Sequence, residues 1–159
     1  MPRTGNDADA ARLLALLLPL GLLGGALGSQ YIGGLHPCEM CYWQRWPHAA
    51  AILLAAAAFT APAASSRSRT LTMLAAAAIG ISGAIGAYHA GVEAAIFEGF
   101  TTCTTTRGMT LQDIVNAPLV RCDQVQWSLF GISMAGWNAI LSLTGAALIA
   151  ALVLKARRA

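Results

Sequence analysis

The chain has 159 residues, 57% of them hydrophobic and only 11% charged, with a formal net charge of +3 and a mean hydropathy of +0.60. A soluble domain of this size carries about 25% charged residues, so the membrane class comes first. The charge is too small and too dispersed for a nucleic-acid partner, and no phosphate-cradling glycine loop is present.

Residues 1–12 are polar, with Arg3, Asp7, Asp9 and Arg12. Leu13 to Leu35 contains no charged residue, and about 20 apolar residues suffice to span a bilayer core, which predicts a first span at about 13–33. Pro19 and the glycines at 21, 24, 25 and 28 weaken a soluble helix but are tolerated in membrane helices. Ala26-Leu27-Gly28 loosely resembles a signal-peptide cleavage site, yet the apolar run continues past it and is long for a signal core.

A loop at about 34–45 follows, carrying His36-Pro37-Cys38-Glu39-Met40-Cys41-Tyr42-Trp43-Gln44-Arg45. The second predicted span is 46–64, ending near Pro62. Pro47 leaves its start open: the helix begins either before the proline or near Trp46, because proline is favourable only in a first turn. If it begins near Cys41, then Cys41, Arg45 and His48 share one stripe at i, i+4 and i+7. A cysteine at a helix N-terminus beside a cation has a lowered pKa.

After the basic turn Ser65-Ser66-Arg67-Ser68-Arg69, a third span is expected at about 71–90, with Gly80, Gly83 and Gly86 suited to close helix approach in lipid. A mixed stretch, about 91–131, carries Cys103 and Cys122. Thr110 and Asp113 there resemble a capping box, with Leu111, Ile114 and Val115 on one face, which predicts a short interfacial helix. The last span is expected at 132–154.

Four spans place both termini on one side. Arg3, Arg12, Arg67, Arg69, Lys155, Arg157 and Arg158 fall there, against Arg45, Arg107 and Arg121 opposite, so the positive-inside rule makes the basic side cytoplasmic. The expectation is an all-α membrane protein, a four-transmembrane-helix bundle with both termini cytoplasmic and both cysteine loops facing outward, to the periplasm in a cell with two membranes. Tyr31, Tyr42, Trp43, Trp46, Tyr88, Phe97, Phe100, Trp127 and Phe130 all fall near the outer boundaries, where rings favour the headgroup level. Such an interface anchors the protein and can also receive a planar, lipid-soluble ligand.

All four cysteines lie in the two outward loops and none in a span. Three uses compete: structural staples, a zinc site and a redox relay. A Cys-x-x-Cys bridge closes a tiny loop and removes little unfolded-state entropy, which disfavours a staple. The eighteen residues between Cys103 and Cys122 are not knuckle spacing, which disfavours zinc, so no metal is expected. Arg45 adjoins both the thiols and the rings; its plainer role is to bind lipid phosphate or snorkel. Sequence alone leaves all three disulfide pairings open.

Pro37-Cys38-x-x-Cys41-x-x-x-Arg45 after a first span, Tyr88-His89 ending a third, and Cys103…Cys122-Asp123-x-x-x-Trp127-x-Leu129-Phe130-Gly131-Ile132-Ser133 entering a fourth resemble the disulfide bond formation protein B (DsbB) family, over about residues 12–154. The resemblance implies a multi-pass bacterial inner-membrane thiol–quinone oxidoreductase that reoxidises a periplasmic thioredoxin-like (DsbA-like) partner and passes electrons to ubiquinone or menaquinone. It implies that the partner attacks Cys103, that Cys122 is its pair-mate, that Cys38 exchanges with this pair, and that Cys41 is the thiolate facing quinone. Arg45, and less directly His89, would support the quinone. Gln44 departs from the Glu-Arg of some members, and the Cys103–Cys122 loop looks short. The alternatives are a non-catalytic, disulfide-stapled membrane scaffold and a related oxidoreductase with a dedicated partner.

Overall fold

The computed structural model describes residues 3–99 and 120–158. Its helices are α1 (Arg3–Tyr31), α2 (Glu39–Ala58), α3 (Ser66–Glu93) and α4 (Met134–Arg158), with a hairpin of β1 (Ser128–Leu129) and β2 (Ile132–Ser133) leading into α4. Three of them, α1, α3 and α4, are long and apolar enough to cross a membrane. The fourth, α2, has 20 residues, about 30 Å at the helical rise, and carries Glu39, Gln44, Arg45 and His48 in its first half.

The start of α2 lies before Pro47, at Glu39, with Cys38 as N-cap. The proline therefore sits inside the helix rather than in its first turn. A neighbouring helix supports the backbone there: Ser82 Oγ of α3 donates to the Gln44 carbonyl at 2.8 Å. At the other end α2 stops at Ala58, capped by Phe59, short of the expected limit at 64.

Ion pairing and packing bring three parts of the chain to one end. Lys155 Nζ lies 3.0 Å from Asp7 Oδ2, joining the end of α4 to the start of α1. Arg12 donates to the Ala61 carbonyl at 3.3 Å and stacks over Phe59 at 4.5 Å, adding the α2–α3 turn. Cys38 and Cys122 occupy the opposite end of the bundle.

Side-chain size is distributed in the reverse of a water-soluble bundle. Ala11, Ala15, Ala51, Ala55 and Ala75 are fully buried around Ile79 and Ile149. Leu17, Leu53, Ile81 and Leu148 point outward, Leu53 with 72% of its surface exposed. Small residues inside and large apolar ones outside suit a bundle solvated by lipid. The expected glycine stripe on α3 meets α4. A Cβ at Gly86 would stand 2.9 Å from Asn138 Nδ2 and 3.1 Å from Gln44 Oε1, so only glycine leaves these amides room to meet.

The expected boundary between the loop ending at 131 and the span starting at 132 cuts through the hairpin. Ser128 pairs with Ser133 and Leu129 with Ile132, leaving Phe130 (φ 53°) and Gly131 (φ 76°) as a two-residue turn. Two successive positive φ values make a type I′ turn, whose twist matches antiparallel strands. Strands of two residues carry no readable alternation, which is why the pattern missed them. Ser133 Oγ then accepts the Gly136 N–H at 3.1 Å, capping α4 and starting it at Met134 rather than 132.

Candidate thiol site

Cys38 and Cys41 are held together by the start of α2. Cys38 Sγ accepts the Cys41 backbone N–H at 3.3 Å, as an N-cap side chain does. The two sulfurs lie 3.1 Å apart, beyond the roughly 2.05 Å of a disulfide bond, with the Cys38 thiol donating to Cys41. Cys41 is thereby shifted below the ordinary thiol range, first by this hydrogen bond, against the opposing effect of burial, with its backbone bond to Cys38 and then the Arg45 charge adding smaller contributions. The Cys38 thiol is pushed strongly upward, first by its hydrogen bond with Cys122, then by Cys41 and by burial. The pair is therefore asymmetric: its geometry favours the charged form at Cys41 and the protonated form at Cys38.

The sign of these shifts sets a pH dependence. In the fully reduced protein, Cys41 should keep its alkylation rate as pH falls through about 8.5, the usual thiol pKa, and lose it only at lower pH. Cys38 should stay protonated and slow across the same range. Mass-spectrometric mapping of iodoacetamide adducts against pH checks this, and unfolding the protein first should make the two cysteines alike.

Arg45 is anchored to α1. Its guanidinium donates to the Ala26 carbonyl at 3.2 Å and to Gln30 Oε1, and lies 5.1 Å from the Tyr42 ring centre. Cys41, Arg45 and His48 do share a face, and all three line one cavity of about 430 Å³ between the helices. Gly21, Leu22, Gly25 and Ala26 of α1 form its apolar side, and Met134, Trp137 and Trp127 close another. Of the other expected boundary rings, Tyr88 and Phe97 stack at 5.3 Å, while Phe100 lies outside the described residues.

His89, on α3, joins the two cysteine loops. Its Nε2 lies 3.1 Å from the Cys122 carbonyl and 3.6 Å from Cys38 Sγ. Its Nδ1 lies 2.9 Å from Gln44 Nε2. Gln44 in turn donates to the Met40 carbonyl at 3.1 Å and accepts from Asn138 Nδ2 at 2.8 Å. Glu93, one turn beyond His89, brings Oε1 to 3.9 Å from Nε2; its Oε2 has no hydrogen-bond partner among the described residues. Sequence reading passed over Gln44, Glu93 and Asn138 as site residues. The available signal was their cost: a polar or ionisable side chain inside an apolar helix is expensive and is kept for a use.

Cys38, Cys41 and His89 bring their ligand atoms within 4.8 Å of one another, close enough to share a soft metal ion. A ligating imidazole donates its second nitrogen outward, whereas here an amide N–H points at Nδ1. The surroundings of His89 are polarised for donation by Nε2, which suits thiol chemistry better than ligation. Cys103, and the short helix expected around Thr110, lie outside the described residues.

The sequence pattern of the family described as "Disulfide bond formation protein DsbB" matches residues 8–152. This chain belongs to the DsbB family. A curated relative from Chromohalobacter salexigens named disulfide bond formation protein B is 30% identical, over 96% of each chain. A second of that name, from Xanthomonas oryzae pv. oryzae, is 27% identical over 80% of each. No solved structure matches the chain. Membership makes this a membrane protein of disulfide bond formation and implies disulfide oxidoreductase activity.

Proposed function

We propose that this DsbB-family protein takes electrons from a periplasmic thioredoxin-like dithiol oxidase and delivers them to membrane quinone in the bacterial inner membrane, with the part of α2 beyond Arg45 as a fourth span. The observation that carries the reading is the position of Cys38. It is hydrogen-bonded to Cys122 of the second loop on one side and to Cys41 on the other, and Cys41 opens on the apolar cavity.

The cavity suits a quinone head. An aliphatic wall and two indoles accept a flat apolar ring, and its volume lies within the range of about 300–1,000 Å³ typical of small-ligand sites. Arg45 provides a fixed cation beside the thiolate, where negative charge on a ring oxygen would be stabilised. When bound, quinone supplies the two-electron acceptor.

The protein steps are thiol–disulfide exchanges. The partner's thiolate attacks Cys103 of a Cys103–Cys122 bridge, and the partner leaves as a disulfide while Cys103 and Cys122 become thiols. Exchange through Cys38 restores that bridge and reduces Cys38–Cys41 to the dithiol. Oxidation of this dithiol releases two electrons and two protons, the number that converts quinone to quinol. Cys41 is the thiolate at the cavity, and Cys38 is the link to the second loop.

The test is alkylation of the thiols after adding a reduced thioredoxin-like partner, with and without a soluble ubiquinone analogue. Quinone should restore protection of Cys38 and Cys41 within the turnover time. Cysteine protection that ignores both partner and quinone would identify an inert, stapled scaffold instead.

A further inference from the structure

We propose that Asn138 and Gln44 form a tautomer lock on His89: they hold its proton on Nε2 and make the ring a permanent hydrogen-bond donor between the two cysteine loops. The proposal deepens the relay reading and rests on it only for the purpose of that donor.

Three backbone carbonyls, which can only accept, fix the direction of every hydrogen bond in the chain. The Ser82 carbonyl lies 3.2 Å from Asn138 Nδ2, so that atom is the amide nitrogen and Oδ1 faces the other way. Oδ1 there accepts from Ser142 Oγ at 2.9 Å and meets His48 Nε2 at 2.9 Å. The second proton of Asn138 Nδ2 goes to Gln44 Oε1 at 2.8 Å. The Met40 carbonyl independently fixes Gln44 Nε2 as the nitrogen. Its remaining N–H points at His89 Nδ1, 2.9 Å away, so Nδ1 must offer its lone pair.

A neutral imidazole carries one proton, and with Nδ1 accepting, that proton is on Nε2. The third carbonyl agrees: Nε2 faces the Cys122 oxygen at 3.1 Å. The polar atoms of both amides in this chain have protein partners, and most of their surroundings are buried. Ser82 and Ser142 are fully enclosed, and Gln44 and His89 are 7% and 3% exposed. No water is needed to complete it, and no member can turn over without opposing two like groups in a low-dielectric site.

The lock gives His89 a positioning role. Nε2–H ties the Cys122 backbone to α3 and sits 3.6 Å from Cys38 Sγ, so the backbone of one exchanging cysteine and the sulfur of the other share one donor. With its proton on Nδ1, the ring would turn a lone pair toward both the carbonyl and the sulfur and push the second loop away. His89 therefore does not take the Cys38 proton; it orients the cysteine that Cys38 must meet.

The test is ¹⁵N NMR of histidine-labelled, reduced protein in detergent micelles, with the His89 signals assigned by their loss in His89→Asn. In the parent protein, Nδ1 should resonate as a bare ring nitrogen and Nε2 as a protonated one. Gln44→Glu puts a carboxylate oxygen where the amide nitrogen stood, and should draw a proton onto Nδ1, moving its signal to the protonated class. A protonated Nδ1 in the parent protein, or a Gln44→Glu spectrum unchanged at His89, would overturn the lock. Quinone reduction measured on the same samples separates the two readings. A correct tautomer without quinone reduction sinks the relay and leaves the lock, and the converse sinks the lock alone.

Discussion

Cys41→Ser protein, supplied with reduced partner and quinone, is expected to form the partner mixed disulfide but to reduce quinone at least ~1,000-fold more slowly than the parent, as removal of an activated nucleophile does. The asymmetry of the pair is the reason. Cys41 is the sulfur whose charge is stabilised, by the Cys38 thiol and by Arg45, whereas Cys38 is held as a thiol by Cys122 and Cys41. A serine hydroxyl accepts the same hydrogen bond but does not ionise near neutral pH, so geometry survives and chemistry does not. Cys38→Ser should fail differently, because Cys41 keeps its access to the cavity but loses its link to Cys122. Stopped-flow absorbance of the quinone, with non-reducing gels for the mixed disulfide, measures both. Parent-rate quinone reduction by Cys41→Ser would mean that the roles within the pair are reversed.

Composition and the spacing of charges carried much of the fold. Four apolar runs predicted four spans; the structure has a helix over each run, and three of these are long and apolar enough to cross a membrane. The cysteine loops were legible because thiols kept out of apolar spans stand out. Two features were not. Pro47 leaves the start of α2 open locally, and the N-cap at Cys38, whose sulfur accepts the Cys41 N–H, sets it at Glu39, eight residues before the proline. The hairpin at 128–133 depends on two backbone angles rather than on a periodic pattern.

The polar centre was hidden for another reason. Gln44, Ser82, Asn138 and Ser142 come from three helices, and each alone reads as an ordinary small polar residue in an apolar stretch. Their spacing did contain a hint. Gln44 and His48 are four apart on α2, as Asn138 and Ser142 are on α4, so each pair lies on one helical stripe. Two polar stripes in apolar helices can be buried only by facing each other. Gly86 supplies the clearance, since any side chain there would enter the Asn138–Gln44 contact. The site is thus a property of how α2, α3 and α4 pack, and the Cys-x-x-Cys motif is its most visible edge.

Arg45 ties that edge to α1, which sets the second large prediction. Arg45→Ala should raise the apparent KM for quinone by about 10- to 100-fold, the equivalent of a charge-assisted hydrogen bond of roughly 1.5–3 kcal/mol, and change the partner KM by less than about 2-fold by the same reasoning. The guanidinium reaches the Ala26 carbonyl and Gln30 while lining the cavity beside Cys41. Loss of its charge should also move the alkylation profile of Cys41 to higher pH, because that charge contributes to holding Cys41 below the ordinary thiol range. Arg45→Lys discriminates charge from anchoring. A lysine keeps a cation near the thiolate but cannot hold two acceptors on α1 in one planar fork, so the Cys41 profile should stay near the parent while quinone KM rises by an intermediate factor. Steady-state kinetics with each substrate varied in turn provides the comparison. Equal losses toward quinone and partner would show that Arg45 supports the loop as a whole, and would remove it from the quinone site.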